Sequence, residues 1–278
     1  MNATIFDTLA DHSDESIPLS NAEYIGEDGL THCSVCHMAT QTVIRHPFNH
    51  KETKVRCICD CKQRELDAYK ERERQENLER QRRICFEETN MGSWTFEKDD
   101  QKNPKLSNIM KNYVKNFTDF RKDGKGLLLY GTVGTGKTYY AACIANELID
   151  NDYTVFMTNF SRLVNLIQSK SFEDKQTFID SINRYSLLII DDLGAERDSE
   201  FMLEQVFNII DSRYRSGLPF IITTNLSWDE IKNPQNIKYA RIYDRIIERC
   251  FPVEVSGASR RRQNVVDTYA DMKRKLGL

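Results

Sequence analysis

The sequence contains no run of 18 or more apolar residues, so it offers no candidate for a membrane-spanning helix. Its first residues are acidic and polar where a secretory leader needs a basic and then an apolar stretch, and the expected compartment is the cytosol. A strong excess of either charge is also missing: 39 Lys and Arg stand against 42 Asp and Glu, a formal net charge of −3. That excludes a general nucleic-acid coat, and any DNA contact must come from a local basic patch. Internal repeats and low-complexity tracts are absent. What is present, with 40% hydrophobic residues in 278, is a globular chain long enough for one large domain or two of unequal size.

The composition changes along the chain. Residues 1 to about 30 show no sustained period of 3.6 or 2 and read as a loose or partner-ordered tail. Five of the eight cysteines (Cys33, Cys36, Cys57, Cys59, Cys61) then fall in one short segment, which in a reducing compartment points to metal binding rather than disulfides. From Lys62 to Arg83 charges of both signs alternate so densely that a solvated helix laced by i,i+4 pairs is expected, with only Leu66, Tyr69 and Leu78 as apolar candidates. From Gly126 onward short apolar runs alternate with amphipathic helices, the pattern of a parallel sheet covered on both faces. The runs Leu127 to Tyr130, Thr154 to Thr158, Leu187 to Ile190, Phe220 to Thr224 and Pro252 to Val255 predict five strands. Between them, Glu200 to Ser216 spaces Leu203, Val206, Phe207, Ile210 and Tyr214 as the core face of a helix that Gly217 ends. The expected organisation is an α/β protein: a small Cys-rich N-terminal domain at 1–61, a charged helical linker at 62–88, and a nucleotide-binding domain at 89–278.

Gly131-Thr132-Val133-Gly134-Thr135-Gly136-Lys137-Thr138 matches G-x-x-x-x-G-K-[ST], placed between a predicted strand and a predicted helix over Tyr139 to Ile149. Its glycines let backbone N–H groups close on phosphates, the helix adds the positive end of its dipole, and Lys137 neutralises β- and γ-phosphate charge. Gly131, Gly134, Thr135, Gly136, Lys137 and Thr138 are therefore candidate ATP contacts, with the Thr138 hydroxyl a ligand for Mg²⁺. Such a loop needs an acidic partner on a neighbouring strand, and Leu187-Leu188-Ile189-Ile190-Asp191-Asp192 supplies one. Asp191 is placed to hold Mg²⁺ through water, and Asp192 to orient or deprotonate the attacking water. At the carboxyl end of the next apolar run, Asn225 either positions that water or caps the following helix.

Together these motifs resemble the AAA+ fold, and within it the DnaC/DnaI-type helicase loaders and the related IstB transposition helper ATPases. The resemblance covers residues 90 to 265 and is carried by Asp191-Asp192-Leu193-Gly194, by Thr223-Thr224-Asn225, and by Arg241-Ile242-Tyr243-Asp244-Arg245-Ile246. It implies an ATPase with a five-stranded parallel sheet. It also implies that Arg245, or alternatively Arg241, reaches the γ-phosphate of a neighbouring subunit's ATP. Ser256-Gly257-Ala258-Ser259-Arg260-Arg261 is similar to the family's G-x-S-x-R segment, which makes Arg261 the candidate for a contact to the nucleotide in cis. Many AAA+ motors carry Glu where this chain has Asp192, and the shorter side chain suits slow hydrolysis and a switch.

Cys33-Ser34-Val35-Cys36 and Cys57-Ile58-Cys59-Asp60-Cys61 provide more thiols than the four that close a tetrahedral zinc site, and His32, His37, His46 and His50 lie nearby. Cys59-Asp60-Cys61-Lys62-Gln63-Arg64-Glu65 resembles a segment of phage and Firmicute-type loaders, which implies Cys33, Cys36, Cys59 and Cys61 as ligands and Cys57 as the spare. An all-thiolate site has no open position and is structural. The resemblance further implies a DnaB-type helicase gripped by the N-terminal domain, single-stranded DNA, and self-assembly into an oligomer or spiral; the alternative is an IstB-like ATPase acting on duplex DNA. For single-stranded DNA, Phe160, Arg162, Lys170, Phe172, Lys175, Phe178 and Arg184 interleave aromatic and basic residues, unless the phenylalanines pack inward.

Overall fold

The computed structural model describes residues 22–87, 89–168, 171–194, 200–260, 265, 269 and 272–277. The chain divides between Glu76 and Asn77 into two units.

In the first unit β1 (Glu23–Ile25) and β2 (Thr31–Cys33) form one antiparallel hairpin, and β3 (Gln41–Arg45) and β4 (Glu52–Arg56) form another. The expected loose tail reaches to about residue 30, but Glu23–Ile25 and Thr31–Cys33 are paired strands; residues 1–21 lie outside the described residues. A three-residue strand is too short to show a period, and β1 exists because the turn between Gly26 and Leu30 brings it against β2, with Gly26 N–H donating to the Leu30 carbonyl at 2.9 Å. Helix α1 (Asp60–Phe86) carries intrahelical pairs one turn apart, an ion pair of Lys62 with Glu65 at i,i+3 and an amide–carboxylate bond from Gln63 to Asp67 at i,i+4. Its end differs from the expected solvated linker. From Asn77 the helix belongs to the second unit, where Leu78, Cys85 and Phe86 enter the core.

The second unit continues through α2 (Pro104–Lys115), α3 (Phe117–Asp123), β5 (Gly126–Tyr130), α4 (Lys137–Asp150), β6 (Val155–Asn159), α5 (Phe160–Gln168) and α6 (Phe172–Ile182). It then forms β7 (Leu187–Leu193), α7 (Glu200–Ser216), β8 (Phe220–Thr224), α8 (Trp228–Lys232), α9 (Ile237–Arg249) and β9 (Cys250–Glu254). The five strands pair in parallel in the order β6-β7-β8-β5-β9. Their apolar runs are continuous because both faces are covered. Leu127, Leu129, Ile189 and Ile221 pack with residues of α2, α3 and α4, while Leu128, Leu188, Ile190 and Ile222 pack with those of α5, α7 and α9. On α7, Leu203, Val206 and Ile210 are buried as their spacing predicts.

Arg213 on α7 is fully buried yet hydrogen-bonds only to main-chain oxygens: Tyr185 at 3.0 Å, Ser186 at 3.3 Å and Pro219 at 2.8 Å. It ties the helix to the chain entering β7 and β8. Replacing it strands those carbonyls in a water-free site, so Arg213→Met is expected to lose about 3 kcal/mol of unfolding free energy, measured by urea denaturation; an unchanged midpoint would refute this role.

Candidate functional site

The phosphate loop leaves β5 and delivers Lys137 into the first turn of α4. Two of its glycines are required by close approach. A Cβ on Gly131 (φ +139°) would stand 2.6 Å from the Val255 carbonyl oxygen, and one on Gly134 (φ +83°) would stand 2.2 Å from Ser259 Oγ. The segment after β9 is thus pressed onto the loop and is bonded to it: Val255 N–H donates to the Tyr130 carbonyl at 2.8 Å, and Arg260 N–H to the Gly134 carbonyl at 2.9 Å. Lys137 Nζ, largely buried, donates to the carbonyls of Gly131 (2.9 Å) and Thr132 (2.8 Å), and Thr135 Oγ1 donates to the Thr132 carbonyl at 3.0 Å. The lysine thereby holds its own loop in an open ring.

Strand β8 lies between β5 and β7, so side chains bridge the gap from the loop to the acidic strand end. Asp191 accepts from the Thr138 hydroxyl at 3.0 Å and from the Thr223 hydroxyl at 2.5 Å. Burial is the main cause that raises the Asp191 carboxyl above its ordinary pKa, with the Asp192 charge adding to it, against the opposing hydroxyls and Lys137. The β7–β8 register shifts between Ile190 and Leu193, and Asp192 there takes φ +58°, a left-handed value uncommon outside glycine. Its N–H donates to Thr223 Oγ1 at 3.0 Å, and Asn225 Nδ2 reaches its carboxylate at 3.4 Å. Thr223 had no separate role in the sequence reading. Its signal is a fully buried hydroxyl at the end of an apolar strand, legible only once β8 is known to be the middle strand.

Lys137, Thr138, Asp192, Asn225, Trp94 and Arg260 line one cleft of about 470 Å³. Larger cavities of the second unit, of about 750, 650 and 610 Å³, contain none of these groups. Arg260 lies at the loop, and the candidate Arg261, like Arg262, lies outside the described residues. Arg245 lies elsewhere, with Nε on Asp211 at 2.7 Å and its guanidinium 4.7 Å from the Phe207 ring centre. Arg241, exposed on the same helix, also covers Phe207 at 4.7 Å.

The aromatic and basic stretch is corrected in part. Phe160 is buried and offers no face for stacking, Phe178 is partly buried against the core, and Arg162 pairs with Glu87 at 2.5 Å. Helix α5 turns Phe160, Leu163, Val164 and Ile167 inward as one stripe, which decides for core packing. Lys170 and the side chain of Phe172 lie outside the described residues.

In the first unit the thiols of Cys33, Cys36, Cys59 and Cys61 lie within 4.8 Å of one another. Tetrahedral zinc with bonds of about 2.3 Å needs sulfur separations near 3.8 Å, so four soft donors at this spacing fit the ion. Cys57 points away, donating to the Ala39 carbonyl at 3.3 Å, and His32 is engaged with Asp28 at 3.0 Å and the His37 carbonyl at 3.1 Å. The first pair is held by a knuckle in which Val35 N–H donates to Cys33 Sγ at 3.4 Å and His37 turns to φ +59°; the second pair stands at the start of α1.

Strand order, phosphate loop and paired carboxylates define a P-loop nucleotide-binding protein of the AAA+ fold. Residues 62–268 match the IstB-like ATP binding protein family, and the chain belongs to that family. It is 32% identical over 163 residues to the replicative helicase loader DnaI of Bacillus subtilis (strain 168), covering 54% of this chain and 51% of the relative. It is 28% identical over 148 residues to a Sinorhizobium fredii protein named as an insertion-sequence ATP-binding protein, covering 52% of this chain and 49% of that one. A crystal structure of DnaI superposes with a TM-score of 0.54 at 26% identity, over 65% of this chain and 99% of that one. The matches thus span about half the length of these curated relatives, and Cys33 to Cys61 precede the family match.

Because the folded Asp191 pKa is raised, stability is lost as pH climbs from its unfolded to its folded value, and at neutral pH the charged group is a net cost. Asp191→Asn is therefore expected to raise the Tm of the nucleotide-free protein at pH 7 by a few degrees, with a gap that closes toward pH 4, while abolishing the Tm increase produced by MgATP. A lower Tm at every pH would show that the carboxylate stabilises the fold.

Proposed function

We propose that this chain is an ATP-dependent loader of a hexameric DnaB-type replicative helicase onto single-stranded DNA. The observation that carries the reading is the similarity to DnaI across the nucleotide-binding unit. The four-thiol module ahead of that unit supports it, because it supplies a separate body for gripping a partner. Zinc, held by Cys33, Cys36, Cys59 and Cys61, provides that small module with folding energy and no chemistry. The protein acts in the cytosol, assembled as an oligomer or spiral.

At the nucleotide site the loop amides and Lys137 bind the β- and γ-phosphates of ATP, and Lys137 exchanges its loop carbonyls for phosphate oxygens. Mg²⁺, when bound by Thr138 and, through water, by Asp191, neutralises developing phosphate charge. Asp192 and Asn225 orient the water that attacks the γ-phosphorus; the bond to the bridging oxygen breaks, the water proton passes to Asp192, and ADP and phosphate leave. Arg260 makes a contact in cis. Arg241, exposed beside Arg245, is as well placed for a neighbour's nucleotide as Arg245, whose guanidinium is already held by Asp211. The short Asp192 side chain gives slow turnover, suited to a switch that partner or DNA accelerates.

Size-exclusion light scattering with the DnaB-type helicase of the same genome, with ATP, with ADP and with Lys137→Ala, tests the reading. A nucleotide-dependent complex is expected. No complex in any state, together with ATP-dependent assembly on duplex DNA, would replace the reading with that of a transposase-partner ATPase, a reading in keeping with the Sinorhizobium relative's name as an insertion-sequence ATP-binding protein. Elemental analysis of the purified protein is expected to find about one zinc per chain, retained in Cys57→Ser and lost in Cys36→Ser; loss in Cys57→Ser would reassign the ligands.

A further inference from the structure

Residues 91–100 run alongside α4 and are fastened to it by three of its side chains. Tyr139 Oη donates to the Thr95 carbonyl at 2.8 Å. Asn146 Nδ2 donates to the carbonyls of Met91 and Trp94, each at 2.9 Å. Tyr140 Oη donates to the Asp99 carboxylate at 3.3 Å. The strap ends in two carboxylates with different surroundings: the side chain of Asp99 is 0% exposed and that of Asp100 35%.

Both face Arg260. Its Nη1 lies 3.7 Å from Asp99 and its Nη2 3.1 Å from Asp100, and Nη2 also donates to Tyr140 Oη at 3.3 Å. The donors run in one direction, from the guanidinium to the tyrosine oxygen and from the tyrosine hydroxyl to Asp99, which only accepts. The guanidinium also lies over the phosphate loop: the same Nη1 is 3.4 Å, and Cζ 3.5 Å, from where a Cβ on Gly136 would stand. A buried carboxylate without a cation is costly, so Asp99 cannot release the arginine without exposing itself, whereas Asp100 at the surface exchanges readily with another anion.

We propose that Asp99, acting through Tyr140, is a positioning residue that holds the Arg260 guanidinium over the phosphate end of the cleft before nucleotide arrives, so that it meets the terminal phosphate of ATP without reorganisation. The inference rests on the nucleotide-site reading above, and it adds the strap before α2 as the part that aims Arg260. A long arginine left free would spend rotamer entropy on each binding event; one already held by Asp99, Asp100 and Tyr140 does not.

The test uses the full chain and measures affinity for fluorescent ATP and ADP analogues, steady-state phosphate release and Tm. Arg260→Ala and Asp99→Asn are each expected to weaken ATP binding about tenfold and ADP binding less than about twofold. The double variant is expected to be no weaker than Arg260→Ala, because Asp99 acts through Arg260. Tyr140→Phe, which removes a single oxygen, is expected to show the same selective loss at smaller size, and it carries the test if Asp99→Asn does not fold. Equal losses for ATP and ADP, or losses that multiply in the double variant, would overturn the proposal by making Asp99 a support of the fold alone. Wild-type binding of ATP with Arg260→Ala unchanged would overturn it while leaving the nucleotide site standing; failure of the wild type to bind either nucleotide would remove both.

Discussion

Because β8 lies between β5 and β7, the phosphate loop and the acidic strand end share no backbone ladder, and their spacing is set by side chains instead. Thr138 reaches from one side and Thr223 from the middle strand, and both hydroxyls end on the carboxylate of Asp191. The same Thr223 oxygen accepts from the Asp192 amide, which turns that residue into its left-handed conformation beside Asn225. Lys137, Thr138, Asp192 and Asn225 line the cleft that remains between the two. Strain at Asp192 and the burial of Asp191 are local costs of keeping that space ready.

The loop is held from its other flank by chain that is distant in sequence. The segment after β9 lies against Gly131 and Gly134, and the strap before α2 holds Arg260 in turn. The nucleotide cleft is therefore walled by the sheet's carboxyl edge, by the chain beyond its last strand and by the chain ahead of α2, with α4 contacting all three.

The first unit obeys different physics. Its strands are three to five residues long and its described side chains are mostly exposed, with Ile25, Val35 and Phe48 among the uncovered apolar residues. Such a body has little core to fold on, which is why the convergence of Cys33, Cys36, Cys59 and Cys61 matters more to it than any apolar contact.

Local spacing was enough for the phosphate loop, the acidic strand end, all five strands of the sheet and helix 200–216, since a period of 2 or 3.6 and a glycine at a positive φ are properties of neighbouring residues. It also separated Cys33 and Cys36 as one chelating pair. It could not say which two of Cys57, Cys59 and Cys61 complete the set, because that turns on whether the chain faces Ala39 or the knuckle. Nor could it tell that Phe160 and Phe178 pack inward, that the last turns of a charge-rich helix enter a core, or that Arg260 lies on the loop. Those outcomes depend on contacts between residues tens to more than a hundred positions apart, such as Arg260 with Tyr140 and Thr223 with Asp191, and spacing along a chain carries no record of what will lie across from it.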